Sequence, residues 1–195
     1  MSQKDFFNTM AEKWDSICLH DAGKINEILD LVKIKESCKV LDVGTGTGIL
    51  IPFLHDRVGN AGEITAIDVA DKMIAVAKSK YQFPNVKYIE GDVLIADIPT
   101  EYYDCIVCYS VFPHFSDKQA AIHKLSTYLK DGGTIAICHS QSREAISNLH
   151  RKASDVVASD DLPHIEIIKG YFEKVKLKTI VEVDTDRMFV VAAQK

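Results

Sequence analysis

The chain has 195 residues, 47% of them hydrophobic and 26% charged, with a formal net charge of -5; this suits one α/β domain with decorations and leaves no room for a second core of similar size. The acidic balance, with no clustered stripe of Lys and Arg, argues against a nucleic-acid partner, and no apolar run approaches the roughly 18 residues of a membrane span. The start, MSQKDFF, has no basic stretch followed by an apolar core, so a cytoplasmic protein is expected.

In chain order, residues 4–36 suggest a helical cap bearing Phe6, Phe7 and Trp14, followed by an amphipathic helix around Ile25–Val32. Short β-branched runs then alternate with helical patterns, as in repeated βα units and a mostly parallel sheet. The strands are expected at Lys39–Val43, Glu63–Asp68, Val86–Glu90, Tyr103–Tyr109 and Thr134–Cys138. The helices between them are placed after the turn GTGTG to about Asp56, at about Ala70–Lys80, in a short turn after Asp92, and at about Asp117–Leu129.

A helical insertion over about 140–170 carries Ile146, Leu149, Ala153 and Val157 on one face. Two β-rich runs, Val175–Val183 and Met188–Ala193, flank a polar turn and read as an antiparallel hairpin closing one edge of the sheet. The expected fold is therefore a Rossmann-like, doubly wound α/β domain. It divides into a cap (1–36), a cofactor-binding core (37–139), an insertion (140–170) and a hairpin (171–195).

Five cysteines, at 18, 38, 105, 108 and 138, are scattered through apolar stretches as reduced thiols are. Cys105 and Cys108 fall three apart on one strand and so point to opposite faces, which reads as core and not as a metal or redox pair.

Val40-Leu41-Asp42-Val43-Gly44-Thr45-Gly46-Thr47-Gly48 puts three glycines where a buried strand turns toward a helix. Glycine permits positive φ and close approach of a ligand to the backbone, and a helix start offers free N–H groups. The bland alternative is a tight turn with no ligand. A dinucleotide fingerprint needs a glycine at the position held by Ile49, so the spacing favours a ligand without a pyrophosphate. Asp68 ends the second strand, where an acid can accept from ribose hydroxyls or cap the next helix. Asp92 follows the third strand, in reach of an exocyclic adenine amine.

The runs LDVGTGTG, AIDVADKMI, IEGDV, YDCIVCYSVFPHF and LKDGGTIAICH, over about 37–139, resemble the motif series of class I S-adenosylmethionine-dependent methyltransferases. The resemblance implies that Gly44, Thr45, Gly46 and Gly48 lie under the methionine part of the cofactor, with Asp42 near its amino group. It implies further that Asp68 and Val69 meet the ribose end, that Met73 and Val93 flank the adenine, that Asp92 meets its amino group, and that Ser110 lines the floor. The segment FFNTMAEKWD is similar to the entry lid of the menaquinone and ubiquinone C-methyltransferase branch.

Methyl transfer needs placement and exclusion of water more than protein functional groups, and a base only if the acceptor must lose a proton. Ionisable candidates at the strand ends are His114 and His139, joined by Arg143 and His150, which are seven apart and share one helical stripe. These histidines have three readings: surface or capping residues, acceptor binding or base catalysis with Arg143 holding an acidic group, or a metal site. The expected activity is methylation of a small molecule. A non-catalytic S-adenosylmethionine or S-adenosylhomocysteine binding module, an NAD(P)-dependent oxidoreductase and another alkyl transferase stay open, as does a homo-oligomer.

Overall fold

The computed structural model describes residues 1–195. Ser2 opens α1 (Gln3–Met10) with a reciprocal capping box: its hydroxyl accepts from the Asp5 N–H while the Asp5 carboxylate accepts from the Ser2 N–H. A tight turn at Ala11–Lys13 leads to α2 (Trp14–Ile17), and Asp21 caps α3 (Ala22–Val32) through the Lys24 N–H. Five strands and their helices follow: β1 (Lys39–Val43), α4 (Ile51–Val58), β2 (Glu63–Asp68), α5 (Asp71–Lys80), β3 (Val86–Glu90), β4 (Tyr103–Tyr109), α6 (Lys118–Tyr128) and β5 (Leu129–His139). The chain ends with α7 (Arg143–Ala153), α8 (Ile165–Lys174), β6 (Lys178–Asp184) and β7 (Phe189–Gln194).

One seven-stranded sheet runs in the order β3-β2-β1-β4-β5-β7-β6, parallel from β3 to β5 and antiparallel at β7 and β6. The period-two alternation of strand side chains divides the core. On one face Leu41, Ile106, Ile135 and Val191 pack with Ile122 and Leu125 of α6 and Ile168 and Phe172 of α8. On the other, Val40, Val107, Ala136 and Val190 pack with Ile28 and Leu29 of α3 and Ile51 and Leu54 of α4. Cys105 and Cys108 fall in these two opposite layers, and burial raises both thiols far above their ordinary value. No helix is long and apolar enough to cross a membrane.

Several boundaries depart from the sequence reading. The insertion holds two helices, and the segment expected to begin a strand at Val175 is a turn after α8, with β6 starting at Lys178. Gly170, read as a boundary, sits inside α8, where a side chain would meet nothing, so it costs only its helix propensity of about 1 kcal/mol. The helix of the insertion ends at Ala153, leaving Val157 in the following loop, where it is still buried. The hairpin closes the edge of the sheet beyond β5 as expected, with β7 beside β5 and β6 outermost.

Candidate active site

β1 turns out of the sheet at Gly44, whose N–H donates to the Ile67 carbonyl at 2.8 Å, as the Thr45 N–H does at 3.1 Å. Gly44, Gly46 and Gly48 all have positive φ, at 68°, 55° and 83°. They have different reasons to be glycine. A Cβ on Gly44 would stand 2.4 Å from Val111 Cγ2, and one on Gly48 3.1 Å from Ala77 Cβ and Tyr81 Cδ2, whereas at Gly46 the nearest atom is Trp14 Nε1 at 4.0 Å. Gly46 therefore faces open space, while Gly48 seats the turn against α5.

The turn opens into a cavity of about 600 Å³ at the carboxyl ends of β1, β2, β4 and β5, roofed by the amino-terminal helices and by α7. Ligands of open α/β sheets bind on this side. Of the cofactor-binding residues expected from the sequence, Asp42, Gly44, Thr45, Gly46, Asp68, Val69, Met73, Asp92, Val93 and Ser110 line the cavity. Gly48 does not, and its packing against α5 replaces the contact expected of it. Ser110 holds a left-handed φ of 55° at the end of β4, a conformation that costs a non-glycine residue about 1 kcal/mol or more.

Three carboxylates, of Asp42, Asp68 and Asp92, face the cavity, and no Lys or Arg does. Asp42 is 1% exposed, and its Oδ2 and the Thr45 Oγ1 have no hydrogen-bond partner. Burial pushes the Asp42 carboxyl up to about 7, with the neighbouring Thr45 hydroxyl opposing and the Asp68 charge adding to the shift. Asp68 is raised too, chiefly by burial, although its Oδ2 accepts from the Gly46 N–H at 2.8 Å and its Oδ1 from the Ala70 N–H at 2.9 Å. Asp92 Oδ1 accepts from the Leu94 N–H at 2.9 Å, fixing the turn after β3. This wall lacks a cation. A positively charged occupant would relieve two strained carboxyls at once.

The roof comes from the amino terminus. Phe7 stands edge-on to Trp14, and both pack against Ala11, Ala70 and Met73. Asn8 ties α1 to α5, donating to Asp71 Oδ1 at 2.8 Å and accepting from the Lys72 N–H at 3.0 Å. Asp15 accepts from the Thr47 hydroxyl and from Lys80.

Beyond the glycine turn the cavity reaches His114, His139 and His150. His139, at the end of β5, is 3% exposed with its Nε2 unpartnered, and burial holds it neutral, with its pKa lowered to about 3. His114 Nδ1 lies 2.8 Å from Asp160 Oδ2, and His150 Nδ1 lies 2.6 Å from the Asp160 carbonyl oxygen. The two rings are 5.0 Å apart. Arg143, expected beside His150, lies outside the cavity: its Nε is 3.5 Å from Asp184 Oδ2 at the tip of the hairpin. Spacing seven apart aligned the two on one stripe, but α7 meets the cavity through Ile146, Leu149, His150 and Ala153, and its first residue, Arg143, falls short of it. The metal reading of the histidines finds no support, because no three His, Cys, Asp or Glu groups converge as ligands.

Tyr109, Ser140, His20 and Asp160 are polar residues at the site that were not singled out from the sequence. The Tyr109 hydroxyl, pushed up to about 12 mainly by burial, lies 2.8 Å from Ser140 Oγ and 2.9 Å from His20 Nδ1. Tyr109 and Ser140 stand at the ends of β4 and β5, where the strand-end rule pointed. His20 and Asp160 come from loops with no periodic signal.

A protein-family profile described as a methyltransferase domain matches residues 40–133. Among characterised proteins, a malonyl-[acyl-carrier protein] O-methyltransferase of Acetivibrio thermocellus is 33% identical over 132 residues, 67% of this chain and 46% of that protein. A ubiquinone/menaquinone biosynthesis C-methyltransferase of Teredinibacter turnerae is 26% identical over 166 residues, 80% of this chain and 66% of that protein. The chain thus spans less than two thirds of these relatives' length. Among solved structures, an S-adenosylmethionine-dependent methyltransferase from Aquifex aeolicus superposes with a TM-score of 0.74 at 22% identity, covering 95% of this chain and 97% of that one. A likeness at that identity speaks for the fold.

Proposed function

We propose, from the match of residues 40–133 to a methyltransferase-domain profile, that the chain transfers the methyl group of S-adenosylmethionine to an uncharged small molecule. The observation that carries this is the all-acidic wall around a glycine turn: the partnerless Asp42 Oδ2 and Thr45 Oγ1 suit an ammonium group, and nothing basic faces them. When bound, S-adenosylmethionine supplies a methyl group on a positively charged sulfur. The residues present fit it. Asp42 and Thr45 would receive its amino group, and Asp68, each of whose oxygens keeps a second lone pair, would take the ribose hydroxyls. Asp92 would meet the adenine amine between the apolar sides of Met73 and Val93.

The same wall opposes a nicotinamide dinucleotide, whose pyrophosphate would face three carboxylates while the Gly46 N–H is already given to Asp68. Continuation of the cavity to the histidines leaves space for a second molecule, which favours an enzyme over a binding module. With no Lys or Arg in the lining and Arg143 turned to Asp184, the acceptor is an uncharged molecule and not an acid. Exposed apolar side chains, Ile17 and Leu19 on one side and Leu149 on the other, frame its entrance. We read the 195 residues as one domain with a cap and an insertion. The five unpaired cysteines favour a reducing, cytoplasmic setting.

Calorimetric titration with S-adenosylmethionine, S-adenosylhomocysteine, NAD and NADP tests the reading. Saturable binding of the first two, lost in Asp68→Ala, is the expected result. Binding of a dinucleotide instead, or of neither class, overturns it.

A further inference from the structure

We propose that Asp160 is a positioning residue that sets His114 as the proton acceptor for the methyl-accepting molecule. This rests on the reading of the far half of the cavity as the acceptor site. Asp160 lies in the loop between α7 and α8 and is the meeting point of three elements. Its Oδ2 accepts from Gln3 Nε2 of α1 at 2.9 Å and is 2.8 Å from His114 Nδ1 after β4, while its main-chain oxygen is 2.6 Å from His150 Nδ1 of α7.

A carboxylate and a carbonyl oxygen can only accept, so both imidazoles must carry their proton on Nδ1. In the neutral form each ring then presents a lone pair at Nε2, and neither Nε2 has a protein partner. Free imidazole side chains favour the opposite tautomer, so Asp160 overrides an intrinsic preference at two rings that line one cavity. His114 is further held edge-on by Phe7, with ring centroids 5.2 Å apart. The arrangement has the logic of a nucleophile's base oriented by a third group, here with the nucleophile supplied by the acceptor.

The reaction balances as follows. The acceptor's O–H or N–H bond breaks toward His114 Nε2, and the electron pair it leaves forms the bond to the methyl carbon. The carbon–sulfur bond of the methyl sulfonium breaks with its pair remaining on sulfur as a neutral thioether. The imidazolium formed is held against the Asp160 carboxylate until its proton passes to solvent. His150, bonded to a main-chain carbonyl, keeps its tautomer whatever side chain stands at 160, which makes it an internal control.

Nitrogen-15 imidazole spectra of the free protein test the positioning. His114 and His150 should both show Nδ1–H; Asp160→Ala should release His114 alone, and Asp160→Asn, whose amide oxygen still accepts, should restore it. The proton transfer is tested with 4-nitrophenol as an acidic probe bound to the protein saturated with S-adenosylhomocysteine. The bound dye should be ionised to a greater extent than free dye in the same buffer, with the excess abolished in His114→Gln and at least halved in Asp160→Ala. An Nε2–H tautomer at His114, or dye no more ionised than in solution, overturns the proposal even when S-adenosylhomocysteine binds. Absence of S-adenosylhomocysteine binding would instead count against the cofactor reading, and the tautomer measurement stands without it.

Discussion

Asp42 shows how a residue suited to a charged ligand destabilises the empty protein. An acid whose pKa is higher folded than unfolded stabilises the fold in its protonated form. That contribution is complete below about pH 4 and disappears as pH rises through 7; a rise from 3.8 to about 7 amounts to up to ~4 kcal/mol. Asp42→Asn should therefore melt higher than the native protein at pH 8 and by less than half that margin at pH 5, while S-adenosylhomocysteine binds at least tenfold more weakly. Binding to the native protein near pH 6 should release a proton, visible as a dependence of the calorimetric heat on the buffer's ionisation enthalpy. The glycines separate stability from affinity. Gly44→Ala meets Val111 and keeps a positive φ, so a loss of about 2–4 kcal/mol is expected. Gly46→Ala should lose only about 1 kcal/mol, read from melting curves, and should weaken cofactor binding because its methyl enters the cavity.

At the scale of elements, the amino-terminal helices are the clearest prospective lid. Their own buried cluster is small, Ala11 with Ala70 and Met73, and their polar attachment to α5 runs through Asn8 and Lys4 to Asp71 and through Asp15 to Lys80. Deleting residues 1–20 should leave a cooperatively folding protein, since the two large core layers contain none of these side chains, yet reduce S-adenosylhomocysteine affinity at least tenfold. Unchanged affinity would remove the lid role. Periodic elements were legible in advance: β1, β2, β3 and β4 begin and end where alternation and turn residues put them. The segment holding α8 was not, because exposed Ile167 among buried Ile165, Ile168 and Phe172 blurs a 3.6-residue period into a strand-like apolar run.

Across the whole molecule, the carboxyl-terminal strand is a keystone and not a trim. β7 pairs with β5 from Thr134 to His139 and with β6 on its other side, and Phe189, Val190, Val191, Ala192 and Ala193 are all buried. Removing residues 186–195 should abolish the cooperative thermal transition, by exposing an unpaired β5 edge and both core layers beside it; a shortened chain that melts cooperatively would refute this. The sequence alone determined the βα alternation, the glycine turn and the acids at three successive strand ends, because these are local: each depends on side-chain period, φ freedom or position at the end of a strand. Only the tertiary structure decided that Gly48 packs against α5, that Arg143 turns to Asp184 while His150 enters the cavity, and that Asp160 joins Gln3, His114 and His150. Those contacts join residues up to 157 positions apart, and the angle at which a helix crosses a sheet, which no local pattern encodes, settles which of its residues reach the cavity.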